Sequence, residues 1–149
     1  LIDTRKSSPF ELGLGWAVKS KKTDFIGKKA LLKEKNSQGL WKFCGIEIQW
    51  GALESKYKKI GLSPSLPTTA WRTSTPLFSK DRQIGYATSG CWSPLLKHYI
   101  ALAHIEEKYA TVGSIIDFEL TVEHYRHRTP ATIVETPFYN PERKRSCPK

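Results

Sequence analysis

Methionine is absent from this 149-residue sequence, and acidic residues are scarce. A translated gene opens with methionine, so a chain that begins Leu1-Ile2-Asp3 reads as an excised or processed piece. No apolar run approaches the roughly 20 residues that a membrane-crossing helix needs. Leu1–Lys6 is charged early and lacks the apolar centre of a signal peptide. Cysteine occurs three times, at Cys44, Cys91 and Cys147, with no C-x-x-C pair. That excludes a zinc knuckle and a thioredoxin-like motif. Cys44 and Cys91 lie in apolar stretches and read as small buried fillers, and Cys147 in the polar tail reads as a free thiol. This usage suits a reducing cytoplasm.

The usual carriers of catalysis are missing too. Ser89 and Ser93 do not stand in a G-x-S-x-G elbow, and Thr88-Ser89-Gly90 reads as a strand end whose hydroxyls satisfy backbone groups in a tight loop. Gly13-Leu14-Gly15 lacks the third glycine and the helix start of a dinucleotide-binding loop. His124 and His127 are three apart in a strand or turn, where such a pair points to opposite faces, and no third ligand accompanies them, so no metal is expected. His98 and His104, in a strand-like run, read as neutral imidazoles, packed or exposed.

What is present is basic charge. Twenty-four Lys and Arg against 14 Asp and Glu give a formal net charge of +10. Such an excess draws nucleic acid, acidic membranes or polyanionic small molecules. It equally fits a surface that an acidic neighbouring domain covers.

The pattern of apolar residues divides the chain. Leu14, Trp16 and Val18 alternate as a half-buried strand does. Thr23 or Asp24 caps a helix over roughly 26–35, with Ile26, Ala30, Leu31 and Leu32 on its apolar face. Asn36–Gly39 ends that helix, and the change of character there sets a boundary between residues 1–38 and 39–149. From Leu40 the period becomes that of a strand whose Cys44, Ile46 and Ile48 face a core. Residues 50–75 form a long excursion with one helical turn near Leu53–Lys58. Strands follow at Thr75–Ser79, Gln83–Thr88, His98–Glu106, Ile115–His124 and His127–Glu135, with Lys80-Asp81-Arg82 as a hairpin loop and Val112-Gly113-Ser114 as a turn. Short strands between turn signals predict a mainly β fold, a small barrel or sandwich, behind a strand–helix remnant.

Few residues offer binding chemistry. Glu11 is a rare acid, either a pocket carboxylate or, on the better reading, an acceptor for backbone N–H groups. Phe138 and Tyr139 precede Glu142-Arg143-Lys144-Arg145, an aromatic-then-basic tail that could clamp an anion. A small basic barrel with tryptophans is also the recipe for single-strand nucleic-acid binding, but Trp16 and Trp41 sit in strand-like runs and most of the five tryptophans read as core.

Two blocks, Pro9-Phe10-Glu11-Leu12-Gly13-Leu14-Gly15-Trp16 with Asp24–Leu32 behind it, and Gly85–Pro94 followed by Ile100–Ala103, resemble the C-terminal part of the glycine-cleavage T-protein, or aminomethyltransferase, family. The ending Glu135–Arg145 resembles the close of its relatives. The resemblance implies an α/β region ahead of a small antiparallel, Greek-key-like barrel. It implies tetrahydrofolate as cofactor, and a one-carbon unit taken from an aminomethyl or N-methyl donor. The family's catalytic and pterin-holding residues lie upstream of these blocks, so this chain carries no catalytic residue. Arg143 and Arg145 are the nearest match to a tail contact with folate, with Glu11 as a further candidate. The partners implied are upstream domains of the same protein and folate, with a homo-oligomer left open, and neither membrane nor nucleic acid is expected. The alternative is a basic β-barrel module that grips RNA or a protein. Gln49–Pro76 and Cys91-Trp92 depart from the family pattern, which puts the donor in doubt.

Overall fold

The computed structural model describes residues 7–37, 39–144 and 146. Arg145 and Cys147 lie outside the described residues. Six antiparallel strands, β1 (Trp41–Ile48), β2 (Thr75–Ser79), β3 (Arg82–Ser93), β4 (His98–Glu106), β5 (Ile115–Val122) and β6 (Tyr125–Val134), close into a barrel in the order β1-β4-β3-β2-β5-β6. Strands β2, β3 and β4 are joined consecutively, and β5 returns to lie beside β2, which is the Greek-key arrangement.

Alternation builds the core. Cys44, Ile46 and Ile48 of β1 turn inward, as do Tyr99, Ala101, Ala103 and Ile105 of β4 and Ile116, Phe118, Leu120 and Val122 of β5. Directly after β1 comes helix α2 (Trp50–Lys58), longer than the single turn expected. The Gln49 N–H donates to the Pro130 carbonyl at 2.9 Å, and Leu53, fully buried, plugs the barrel from that helix.

Five expectations need correction. Leu14–Val18 is not a strand but a 3-10 turn at Gly15–Ala17, and Trp16 is 83% exposed. Gly13, at φ 71°, has already bent the chain out of extended geometry, so the alternation there has no sheet to join. Helix α1 (Lys28–Asn36) starts after Gly27, which caps it at φ 87°, and not at Thr23 or Asp24. Asp24 instead accepts the N–H of Phe25, and Ile26 stands outside the helix, fully exposed. Thr88-Ser89-Gly90 is not a strand end, because β3 runs on to Ser93. A bulge between Ala87 and Ser89 absorbs Thr88, whose Oγ1 donates to the Leu102 carbonyl at 3.2 Å. Cys91 is half-buried and not a core filler. The loop between β2 and β3 is shorter than expected, just Lys80 and Asp81.

Candidate functional site: an apolar concavity beside a basic tail

The outer face of β1 carries aromatics where solvent-facing charges would be expected. Phe43 packs edge-on against His104 of β4, with centroids 5.4 Å apart, and Trp41 packs likewise against Tyr86 of β3 at 5.9 Å. The segment Ser8–Trp16 crosses this face in tight turns, with Gly13 N–H to Phe10 carbonyl at 3.0 Å and Leu14 N–H to Pro9 carbonyl at 2.7 Å. Between that segment and Thr136–Phe138 lies a concavity of about 570 Å³ lined by Leu12, Leu14, Trp16, Phe43, Leu102 and Phe138. None of its lining residues is charged. Sequence reading missed Phe43 and Leu102; their signal was apolar side chains in register opposite to the core set of the same strands.

Glu11 holds its own turn together. Its carboxylate accepts the Ser8 N–H at 3.0 Å, and its N–H donates to Ser8 Oγ at 3.2 Å. The Ser8 hydroxyl also donates to Glu34 of α1, which ties the crossing segment to that helix. The Glu11 carboxylate thus accepts a backbone N–H, that of Ser8. Burial depresses the pKa of His104, and the charge of Glu11 pulls it part of the way back.

The tail leaves the wall of the concavity at Phe138. Glu142–Lys144 forms a 3-10 turn, Arg143 Nη2 donates to Tyr139 Oη at 3.5 Å, and Lys144 Nζ donates to the Tyr139 carbonyl at 3.1 Å. Arg143 is exposed and keeps further N–H donors for an anion. Glu11 and Arg143 thus serve different contacts, and no ion pair joins them among the described residues. His124 sits in the β5–β6 turn and His127 on β6; no group of three or more His, Cys, Asp or Glu is placed to hold a metal among the described residues.

A closed Greek-key barrel, crossed by an N-terminal segment that leaves a large uncharged concavity, defines a small antiparallel β-barrel domain. The family profile described as the glycine cleavage T-protein C-terminal barrel domain matches residues 58–140, and the chain belongs to that family. The aminomethyltransferase of Bacillus pumilus (strain SAFR-032) is 37% identical over 137 residues, which is 91% of this chain and 32% of that protein. The aminomethyltransferase of Bacillus mycoides (strain KBAB4) is 38% identical over 133 residues, 89% of this chain and 31% of that protein. The crystal structure of the glycine cleavage system aminomethyltransferase T from Bartonella henselae shares the fold, with a TM-score of 0.67 at 20% identity over 89% of this chain and 32% of that one. This chain therefore spans about a third of the length of the relatives it matches. No helix among the described residues is long and apolar enough to cross a membrane.

Proposed function

We propose that this chain is the C-terminal barrel portion of a tetrahydrofolate-dependent, aminomethyltransferase-like protein, working in the cytoplasm with preceding domains of the same protein. On this reading residues 1–38 close the middle region and residues 39–149 are the barrel. One observation carries it: four large apolar side chains that stay exposed, Leu12, Leu14, Trp16 and Ile26, fall within one short segment that crosses or flanks the barrel, where a neighbouring domain would cover them together. A burial of such groups on assembly is worth about 25 cal/mol per Å² of apolar surface removed from water.

The residues present fit one end of a folate. Arg143, with Arg145 beyond the described residues, has the planar fork that grips a glutamate carboxylate. The ring end is not served. A pterin edge asks for a carboxylate to accept its N–H groups, and the concavity has none, while Glu11 is engaged by Ser8. Bound folate would carry the one-carbon unit; the part of this chain is to hold the carboxylate end and to wall off one side. The chain alone is inactive on this reading, since half a site neither positions reactants nor excludes water.

The test pairs this chain with the preceding domains. One-carbon transfer to tetrahydrofolate should be absent with the chain alone and present in the longer protein. In that protein, replacing Arg143 and Arg145 by Ala should weaken folate binding by about tenfold, as the loss of a charge-assisted bond does. Turnover by the chain alone would refute the reading.

A second reading has one observation behind it. Trp16 stands exposed close in sequence to Lys19, Lys21 and Lys22, an aromatic among lysines such as a single RNA strand can stack on. RNA binding that weakens steeply with salt, with folate binding absent, would favour it.

A further inference from the structure

The barrel wall closes between β2 and β5 through two facing pairs, Leu77 with Phe118 and Phe78 with Asp117. The reason the ladder stops there can be read from the backbone. The Pro130 carbonyl accepts the Gln49 N–H, so on β6 it faces the β1 side. Pro130 lies opposite Asp117 on β5. The N–H and C=O of one strand residue point to the same side, so Asp117 must turn its own toward β2, and every second residue, Glu119 and Thr121, follows. The next pair would set Pro76 against Glu119. Proline has no N–H to give the Glu119 carbonyl, and the ladder ends.

Beyond Pro76 the wall opens into a slot of about 320 Å³, bordered by Trp71, Thr73, Tyr99, Phe118, Thr121 and Arg126. The N–H and C=O of Thr121 point into this gap and have no backbone partner among the described residues. Tyr99 is 5% exposed, and its hydroxyl accepts the Trp71 Nε1–H at 2.9 Å. Among the described residues the Tyr99 O–H has no acceptor of its own. A strand edge, a tyrosine hydroxyl whose proton is free to be donated and an aromatic floor therefore meet in one opening.

We propose that this slot binds an extended peptide strand. A peptide backbone supplies what the edge lacks, a carbonyl for Thr121 N–H and an N–H for its carbonyl, and continues the ladder that Pro76 breaks. Its carbonyls also offer an acceptor to Tyr99. Trp71, half-buried and packed at 6.2 Å on the buried Phe118 ring, offers the surface against which a peptide side chain rests. On the rim, Arg126 and Glu119 stand 3.8 Å apart with opposite signs, so the opening matches an uncharged segment and not a polyanion.

The probe is a synthetic acetylated and amidated hexapeptide of alternating threonine and valine, added to this chain and followed by amide hydrogen exchange and chemical shift. The Thr121 amide should gain protection. Thr121→Pro removes the slot-facing N–H, at a position where that N–H has no ladder partner, and should weaken binding by about tenfold, one hydrogen bond's worth, with the thermal midpoint checked alongside because the ring also restricts φ. Pro76→Val restores the missing donor, and should close the seam, raise the thermal midpoint and abolish binding. Should Thr121→Pro fail to fold, a hexapeptide with N-methylated amides makes the same deletion from the ligand side and should not bind. The proposal falls if Thr121 stays unprotected at millimolar peptide, or if the N-methylated peptide binds equally well. It also falls if light scattering shows a dimer that Thr121→Pro turns into a monomer, since the edge would then belong to a second copy.

Discussion

Phe138 rests on the bare α-carbon of Gly45: a methyl group built there would stand 2.7 Å from Cε1 and 2.9 Å from Cζ of the ring. Strand β1 thus gives up a side chain so that the segment after β6 can lie flat on its outer face. Phe138 in turn forms one wall of the concavity, so a missing Cβ in a strand shapes the candidate site.

Replacing Gly45 by Ala is expected to expel Phe138 from this seat. Relief requires the ring to rotate out of its seat or the segment Thr136–Phe138 to shift off the strand. Overpacking of this sort costs about 1–3 kcal/mol. Urea unfolding of Gly45→Ala, Phe138→Ala and the double variant measures it. The double variant should show the methyl group costing little once the ring is gone, and an equally large cost in both backgrounds would exclude the contact as its cause.

His104 makes stability depend on pH. Its imidazole sits edge-on between Phe43 and Tyr86, and burial holds its pKa below the ordinary value of 6.5, with the Glu11 charge opposing. The unfolded chain therefore takes up the proton first as the pH falls through about 6.5. Wherever the unfolded state binds more protons, stability falls with falling pH, and here the loss levels off once the folded imidazole is protonated too. His104→Gln should flatten this step. Urea midpoints from about pH 7.5 to about pH 5 decide it, and an unchanged slope in the variant would assign the step to another group.

The strands were legible because each side chain of an antiparallel barrel faces either the core or the outside, and the period of two survives in the residues of β1, β4 and β5. Expected and observed limits agree for Thr75–Ser79 and His98–Glu106. The N-terminal segment was misread because the same period appears at Leu14, Trp16 and Val18 without a neighbouring strand to pair with; Trp16 ended up exposed. Thr88-Ser89-Gly90 was misread because a bulge and a strand end use the same small and hydroxylated residues, and only the presence of β4 alongside tells them apart. The concavity was hidden for another reason. Phe43, Leu102 and Phe138 come from three distant stretches, and nothing local says that they meet.

The β5–β6 hairpin turns on Glu123 and His124, both left-handed at φ 46° and 71°. A two-residue turn with two positive φ values matches the twist of the strands, and asparagine followed by glycine adopts it with least strain. Glu123→Asn with His124→Gly is expected to stabilise the barrel by about 0.5–1 kcal/mol. A thermal or urea midpoint that falls instead would mean that one of the replaced side chains holds the hairpin by a contact beyond the turn.

Cys44 offers a test of how tightly the barrel is closed. It lies inside β1 at 6% exposure, and burial pushes its thiol up to about 11, although the nearby Lys42 charge works the other way. The thiolate is the reactive form, so near pH 8 the folded chain presents almost none at this position. Iodoacetamide should leave Cys44 unmodified for as long as the barrel holds, and label it promptly in urea. Because labelling of a buried thiol follows the population of opened molecules when opening is fast, the rate against urea also reports stability. Peptide mapping separates Cys44 from the half-buried Cys91 on the outer wall. Labelling of Cys44 in the absence of urea at the rate of a free thiol would show a barrel that breathes open at β1, which is incompatible with the continuous pairing of β1 to β4 from Trp41 to Ile48.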